Sequence, residues 1–207
     1  MKILLATQKP FSSIAVDQLK ELAKAKHELI LLEKYKEQSD LENAVKDVDA
    51  MIVRSDKVTA DVVNATTNLK IVVRAGAGYD NIDLQSCSDR NIVVMNTPGQ
   101  NSNAVAELSL GLMIYLARNT FLPGTGSELK GKKLGIHAYG NVGKLVAGLA
   151  KGFGMEVSAF DPFVDDNILI EDGITPLKSV NELYSNNDII SINIPAIPST
   201  IKSINKD

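Results

Sequence analysis

The sequence predicts an α/β protein of doubly wound parallel sheets, and three observations carry that expectation. Short runs rich in Val, Ile and Leu alternate with amphipathic segments along nearly the whole chain, the order expected when helices cover a sheet. The runs are continuous rather than alternating apolar with polar, as in parallel strands buried on both faces. One run, 133–137, passes through a glycine-containing turn directly into a helix at 140–152, the local form of a phosphate-binding βαβ unit.

The elements follow in order. Residues 3–6 read as a strand, and 12–25 as a helix capped by Ser12 or Ser13. The apolar run 28–32 comes next, then a short helix at 41–48 and a strand at 50–53. Thr59 caps a helix that runs to Ala65, followed by a strand at 71–73, a helix at 82–89 and a strand at 92–95. The segment 96–102, Asn-Thr-Pro-Gly-Gln-Asn-Ser, is a turn-rich loop. A long apolar helix at 103–118 leads into a connector holding Pro123, Gly124 and Gly126. Strand–helix alternation then resumes with strands at 133–137, 156–160 and 188–194, and helices at 140–152 and 180–185. A domain boundary is expected near Asn96, giving domains 1–96 and 97–207.

Composition excludes several functions. With a formal charge of −3 the chain lacks the basic excess of a nucleic-acid or anionic-membrane binder. Its longest strongly apolar stretch, near 104–117, is too short to span a bilayer and contains Glu107. The opening Met-Lys-Ile-Leu-Leu-Ala reads as a strand with no cleavage pattern after it. A single cysteine, Cys87, forms no internal disulfide and no multi-cysteine metal site, which fits a reducing cytoplasm. No metal site is expected, and only two histidines, His27 and His137, are available for histidine chemistry.

The turn Ala138-Tyr139-Gly140-Asn141-Val142-Gly143 is the candidate cofactor site. Gly140 lets a pyrophosphate approach the backbone, and Gly143 lets the helix pack on the strand. Free N–H groups at the helix start, aided by the helix dipole, face the phosphates. Ala138 stands where the G-x-G-x-x-G pattern has its first glycine. Asp161 ends the next strand, about 20 residues on, where an acidic side chain binds the ribose hydroxyls and repels a 2′-phosphate. NAD is therefore expected rather than NADP. The plainer alternative is that Asp161 only opens a turn with Pro162.

Linked motifs give the chain a family resemblance. They are Val-Arg-Ser-Asp-Lys-Val-Thr-Ala-Asp at 53–61, Arg-Ala-Gly-Ala-Gly-Tyr-Asp-Asn-Ile-Asp at 74–83, and Val-Met-Asn-Thr-Pro-Gly-Gln-Asn-Ser-Asn-Ala-Val-Ala-Glu at 94–107. Glu-Leu-Lys-Gly-Lys-Lys-Leu-Gly at 128–135, Asp-Pro-Phe at 161–163 and Ile-Ser-Ile-Asn-Ile-Pro at 190–195 continue the series. The sequence resembles the D-isomer-specific 2-hydroxyacid dehydrogenases, most closely their D-3-phosphoglycerate dehydrogenase branch. The resemblance implies a flavodoxin-like substrate domain followed by a Rossmann-type NAD domain. The implied reaction is NAD-dependent oxidation of 3-phosphoglycerate to 3-phosphohydroxypyruvate, the first step of serine synthesis. It assigns Arg54, Ser55 and Arg74 to the phosphate side of the substrate, where a guanidinium presents a planar fork of donors. It assigns the backbone of Gly76, Ala77 and Gly78 to the substrate carboxylate, and Pro162 and Pro195 to the cofactor site. Arg54 and Arg74 follow apolar strands, at the edge where such sheets bind ligands; otherwise they are solvated strand ends. The helix from Asn103 matches one that joins the domains and dimerises in the family, which implies a homodimer.

Two departures matter. Asn193 stands where many relatives have His, and the tryptophan-containing connector of many relatives is absent. The family's catalytic Arg, Glu or Asp, and His lie in motifs downstream of the segment resembling 191–205, so no catalytic residue is assigned, and the 207 residues are expected to be inactive alone. The expectation is a dinucleotide domain represented by its first half and following strand. Two functions stay open: an intact dehydrogenase of which this is a part, or a non-catalytic NAD-binding, dimerising module. Glyoxylate, hydroxypyruvate and lactate remain open as substrates, since one scaffold serves many.

Overall fold

The computed structural model describes residues 1–197 and 199–205. The chain forms two compact units, Met1–Pro98 and the residues from Gly99 on. In the first, strands β1 (Lys2–Thr7), β2 (Glu28–Glu33), β3 (Ala50–Val53), β4 (Ile71–Arg74) and β5 (Val93–Asn96) alternate with helices α1 (Ser13–Ala23), α2 (Gln38–Ala44), α3 (Ala60–Ala65) and α4 (Leu84–Asp89). All strand pairs are parallel, in the order β2-β1-β3-β4-β5. The core is Leu4, Leu41, Met51, Val53, Val62 and Val72, each fully buried.

Side-chain oxygens place the helix starts. Ser12 accepts from the Ala15 N–H, Thr59 from Val62 and Asp83 from Ser86, satisfying donors that the first helical turn leaves open. Helix α2 begins before the expected residue 41, because Glu37 and Asp40 form a capping box. Helix α4 begins after the expected residue 82, because Ile82 is held in a parallel bridge to Val58. The expectation of strands buried on both faces fits β1, whose last four residues are buried. It fails at the edge strand β5, where Val93 is 55% and Met95 53% exposed.

The second unit opens with α5 (Ser102–Ala117) and a short 3-10 turn at Asn119–Phe121. Strands β6 (Lys133–His137), β7 (Glu156–Phe160), β8 (Thr175–Pro176) and β9 (Ile189–Ile192) follow, with helices α6 (Asn141–Gly152), α7 (Asp166–Glu171) and α8 (Val180–Ser185) between them. The sheet is parallel, in the order β8-β7-β6-β9. Its core includes Leu134, Ile136, Val146, Ala150, Ala159 and Leu169. Sequence reasoning missed α7 and β8: the helix spans less than two turns and the strand is two residues long. No helix among the described residues is long and apolar enough to cross a membrane.

Candidate functional site

In the second unit the chain direction across the sheet reverses between β6 and β9, and ligands bind at such a switch point beyond the carboxyl ends of the strands. There β6 feeds the turn Ala138-Tyr139-Gly140 into α6. Ala138 has φ 76°, a left-handed conformation that suits glycine and strains a residue with a Cβ. A Cβ on Gly140 would project into open space, so the approach to the helix start is clear. A Cβ on Gly143 would overlap the Ala138 carbonyl oxygen and come within 3.0 Å of Ile136 Cγ2. Gly143 is thus what lets α6 lie against β6.

Gly140 caps α6 without a side-chain bond. The N–H groups of Asn141, Val142 and Gly143 precede the first intrahelical bond, from Lys144 to Gly140, and are available to an anion. Asp161, directly after β7, is fixed at both oxygens: Oδ2 accepts from the Tyr139 N–H at 2.8 Å and Oδ1 from the Phe163 N–H at 2.9 Å. Each oxygen keeps a lone pair for a ligand hydroxyl. Clear space at Gly140, an uncapped helix start and a fixed carboxylate together fit the phosphates and ribose of a dinucleotide. Pro162 is exposed beside Asp161, and the exposed Pro195 lies beyond β9, its carbonyl accepting from the Ile197 N–H. The Tyr139 side chain points elsewhere. It is 2% exposed, its hydroxyl donates to Asp172 Oδ2 at 3.0 Å, and burial pushes its pKa up.

His137 is buried at the end of β6, with Nδ1 2.9 Å from the Tyr184 hydroxyl. Burial pushes its pKa down, and the Asp161 charge opposes that only in part. Asn193 spends its side-chain amide on Ser191 O and Oγ at 3.2 Å, and its N–H on the His137 carbonyl. His27 sits at the entry to β2, at the opposite edge of the first sheet from the strand carboxyl ends.

In the first unit the chain reverses between β1 and β3. Arg54 and Ser55 leave β3 exposed at that edge. Arg74 ends β4, and its guanidinium folds back over Gly76, where any Cβ would overlap it. Its Nε is buried with no hydrogen-bond partner among the described residues. The Gly76 N–H turns back to the Arg74 carbonyl at 2.9 Å. The Ala77 carbonyl accepts from Asn96 Nδ2 at 2.6 Å. The N–H groups of Ala77 and Gly78 make no hydrogen bond among the described residues. Two unpaired backbone donors on the loop thus follow the end of β4, where the guanidinium Nε is buried and unpaired, a setting for an anion.

Sequence reasoning missed Asp56. It is 5% exposed, and its Oδ1 accepts from the Tyr35 hydroxyl at 2.7 Å and from the Gln8 N–H at 2.8 Å. Its own carbonyl accepts from Asn81 Nδ2 at 2.7 Å. The loops after β1, β2, β3 and β4 are therefore fastened to one residue. A buried acid beside the Arg54-Ser55 pair has no signal in the sequence, because loop aspartates are ordinarily solvated. Among the described residues no group of three or more His, Cys, Asp or Glu is placed to hold a metal ion.

Two parallel α/β units with polar groups gathered at the strands' carboxyl ends define a ligand-binding α/β protein. Sequence comparison then gives the family. Residues 5–200 match the model of the D-isomer specific 2-hydroxyacid dehydrogenase catalytic domain, and the chain belongs to that NAD(P)-dependent family. It is 38% identical over 203 residues to a hydroxypyruvate reductase of Thermotoga maritima, covering 90% of this chain and 64% of that protein. It is 38% identical over 175 residues to the Homo sapiens D-3-phosphoglycerate dehydrogenase, covering 78% of this chain and 33% of that one. The structure matches NAD+-bound 3-phosphoglycerate dehydrogenase of Entamoeba histolytica at a TM-score of 0.90 and 46% identity, covering 97% of this chain and 64% of that one. The chain spans under two thirds of the length of these relatives.

Proposed function

We propose that this chain belongs to an NAD-dependent D-3-phosphoglycerate dehydrogenase, supplying its substrate-anchoring lobe and the part of its cofactor lobe that holds adenosine and pyrophosphate. In this reading 1–96 is a flavodoxin-like substrate domain, supported by its 2-1-3-4-5 strand order, and 97–207 is the first half of a Rossmann-type domain with one further strand. The observation that carries the reading is the glycine turn, open at Gly140, closed at Gly143 and linked through Tyr139 N–H to Asp161.

The roles follow from chemistry. The helix start at Asn141–Gly143 receives pyrophosphate, and Asp161 accepts from the ribose hydroxyls and repels a 2′-phosphate. Bound NAD would accept the hydride from the carbon bearing the hydroxyl. Arg54, Ser55 and Arg74 hold the substrate phosphate, and the Ala77 and Gly78 N–H groups take its carboxylate. No residue of the 207 is assigned as general base, so they are proposed to bind without turnover. A homodimer through α5 completes the proposal, supported by Leu108, Leu112 and Leu116, which are 63%, 53% and 70% exposed at successive turns of one face. Hydroxypyruvate is the second substrate reading, favoured by the Thermotoga relative.

Calorimetric titration with NAD tests the cofactor assignment. Asp161→Ala should lose most of the affinity, and an unchanged affinity would overturn the ribose role. The product of the whole gene should reduce phosphohydroxypyruvate with NADH far better than hydroxypyruvate. The reverse preference would replace the phosphorylated substrate with the plain one.

A further inference from the structure

Tyr139 lies at the centre of the phosphate-binding turn, yet it turns its ring into the core. Its two polar groups are both committed: the N–H to Asp161 and the hydroxyl to Asp172, the residue that ends α7. Lys151 Nζ, from α6, donates to the Asp172 carbonyl at 2.6 Å, so this corner is itself tied to the helix that follows the turn. Immediately before Tyr139, Ala138 holds a left-handed conformation despite its Cβ. Such a conformation persists only where the surroundings over-determine it. Immediately after it, Gly140 offers the turn no side-chain anchor.

We propose that the Tyr139–Asp172 hydrogen bond braces the glycine turn in its pyrophosphate-binding shape, making Asp172 a positioning residue for the cofactor. The inference rests on the nucleotide reading above and deepens it. Asp172 itself touches no ligand. It acts by holding Tyr139, which keeps Ala138 strained and the N–H groups of Asn141–Gly143 aimed at one point. The same brace leaves Asp161 facing the turn, because the Tyr139 N–H is its partner.

The test uses Tyr139→Phe, which keeps the ring and removes only the hydroxyl, and Asp172→Ala, which removes only the acceptor. Each is titrated in the 207-residue chain with NAD, ADP-ribose and adenosine, and melted in parallel. We expect NAD and ADP-ribose to bind about 5-fold more weakly, the size of one net hydrogen bond, with adenosine affinity unchanged. We also expect Ala138→Gly to restore most of that loss in the Tyr139→Phe background, because the unstrained turn no longer needs the brace. A lower melting temperature with unchanged affinity for NAD and ADP-ribose in both variants would show a structural bond only and overturn the proposal. An equal loss for all three ligands would overturn it too. If the parent chain binds neither NAD nor ADP-ribose, the nucleotide reading itself fails.

Discussion

Ala138 shows how one methyl group sets the energetics of a turn. A Cβ in the left-handed region costs about 1–2 kcal/mol, whereas replacing it with glycine gives back about 0.4–1 kcal/mol through the entropy of the unfolded chain. Ala138→Gly is therefore expected to raise stability by roughly 0.5 kcal/mol, measurable as a higher urea midpoint with unchanged slope. His137 gives a pH prediction. Its pKa is lowered in the folded state by burial, so the unfolded chain binds a proton more readily. Its contribution to stability is present above the unfolded value, near 6.5, and is lost as pH falls below it. His137→Asn should flatten the change in melting temperature between pH 7.5 and 5.5. At this scale the sequence was readable where close backbone approach demanded one residue type, as at Gly143, whose Cβ would overlap the Ala138 carbonyl oxygen. It was silent where only packing decides, as with the burial of Asp56 or the inward turn of the Tyr139 ring.

Among the elements, most strands were legible from their continuous apolar runs and most helices from the amphipathic segments between them, the six-residue α8 included, whereas the short α7 and the two-residue β8 were not. Strands β3, β6 and β7 fall on the expected residues, while boundaries at α2 and α4 moved with caps and bridges that tertiary contact decides. The fastening of four loops by Asp56 is an element-scale device. Asp56→Ala should cost about 1–3 kcal/mol, because it leaves the Tyr35 hydroxyl buried without its acceptor. Hydrogen exchange should then quicken together at Gln8 and Arg54, whose N–H groups donate to Asp56 Oδ1 at 2.8 Å and Oδ2 at 3.4 Å, which distinguishes an untied edge from a local cavity. The apolar face of α5 gives another expectation. Leu108→Lys combined with Leu112→Lys should convert the proposed dimer to monomer by sedimentation without lowering helix content, since both side chains are more than half exposed.

For the molecule as a whole, the two cores make binding and catalysis separable questions. NAD at 100 times its dissociation constant should stabilise the chain by about 2.7 kcal/mol, read as a ligand-dependent rise in melting temperature. The same sample should show no oxidation of NADH with phosphohydroxypyruvate. Rapid turnover would reveal a proton acceptor among residues assigned none. Asp161 carries one more consequence. The carboxylate proposed to choose between cofactors is also the latch that holds the turn through the Tyr139 N–H. Exchanging it for an apolar or basic residue, which cannot accept from that N–H, to admit a 2′-phosphate would unfasten the proposed pyrophosphate grip in the same stroke. A switch of cofactor preference by this route therefore passes through a form poor at holding either one, unless a new acceptor for that N–H arrives first.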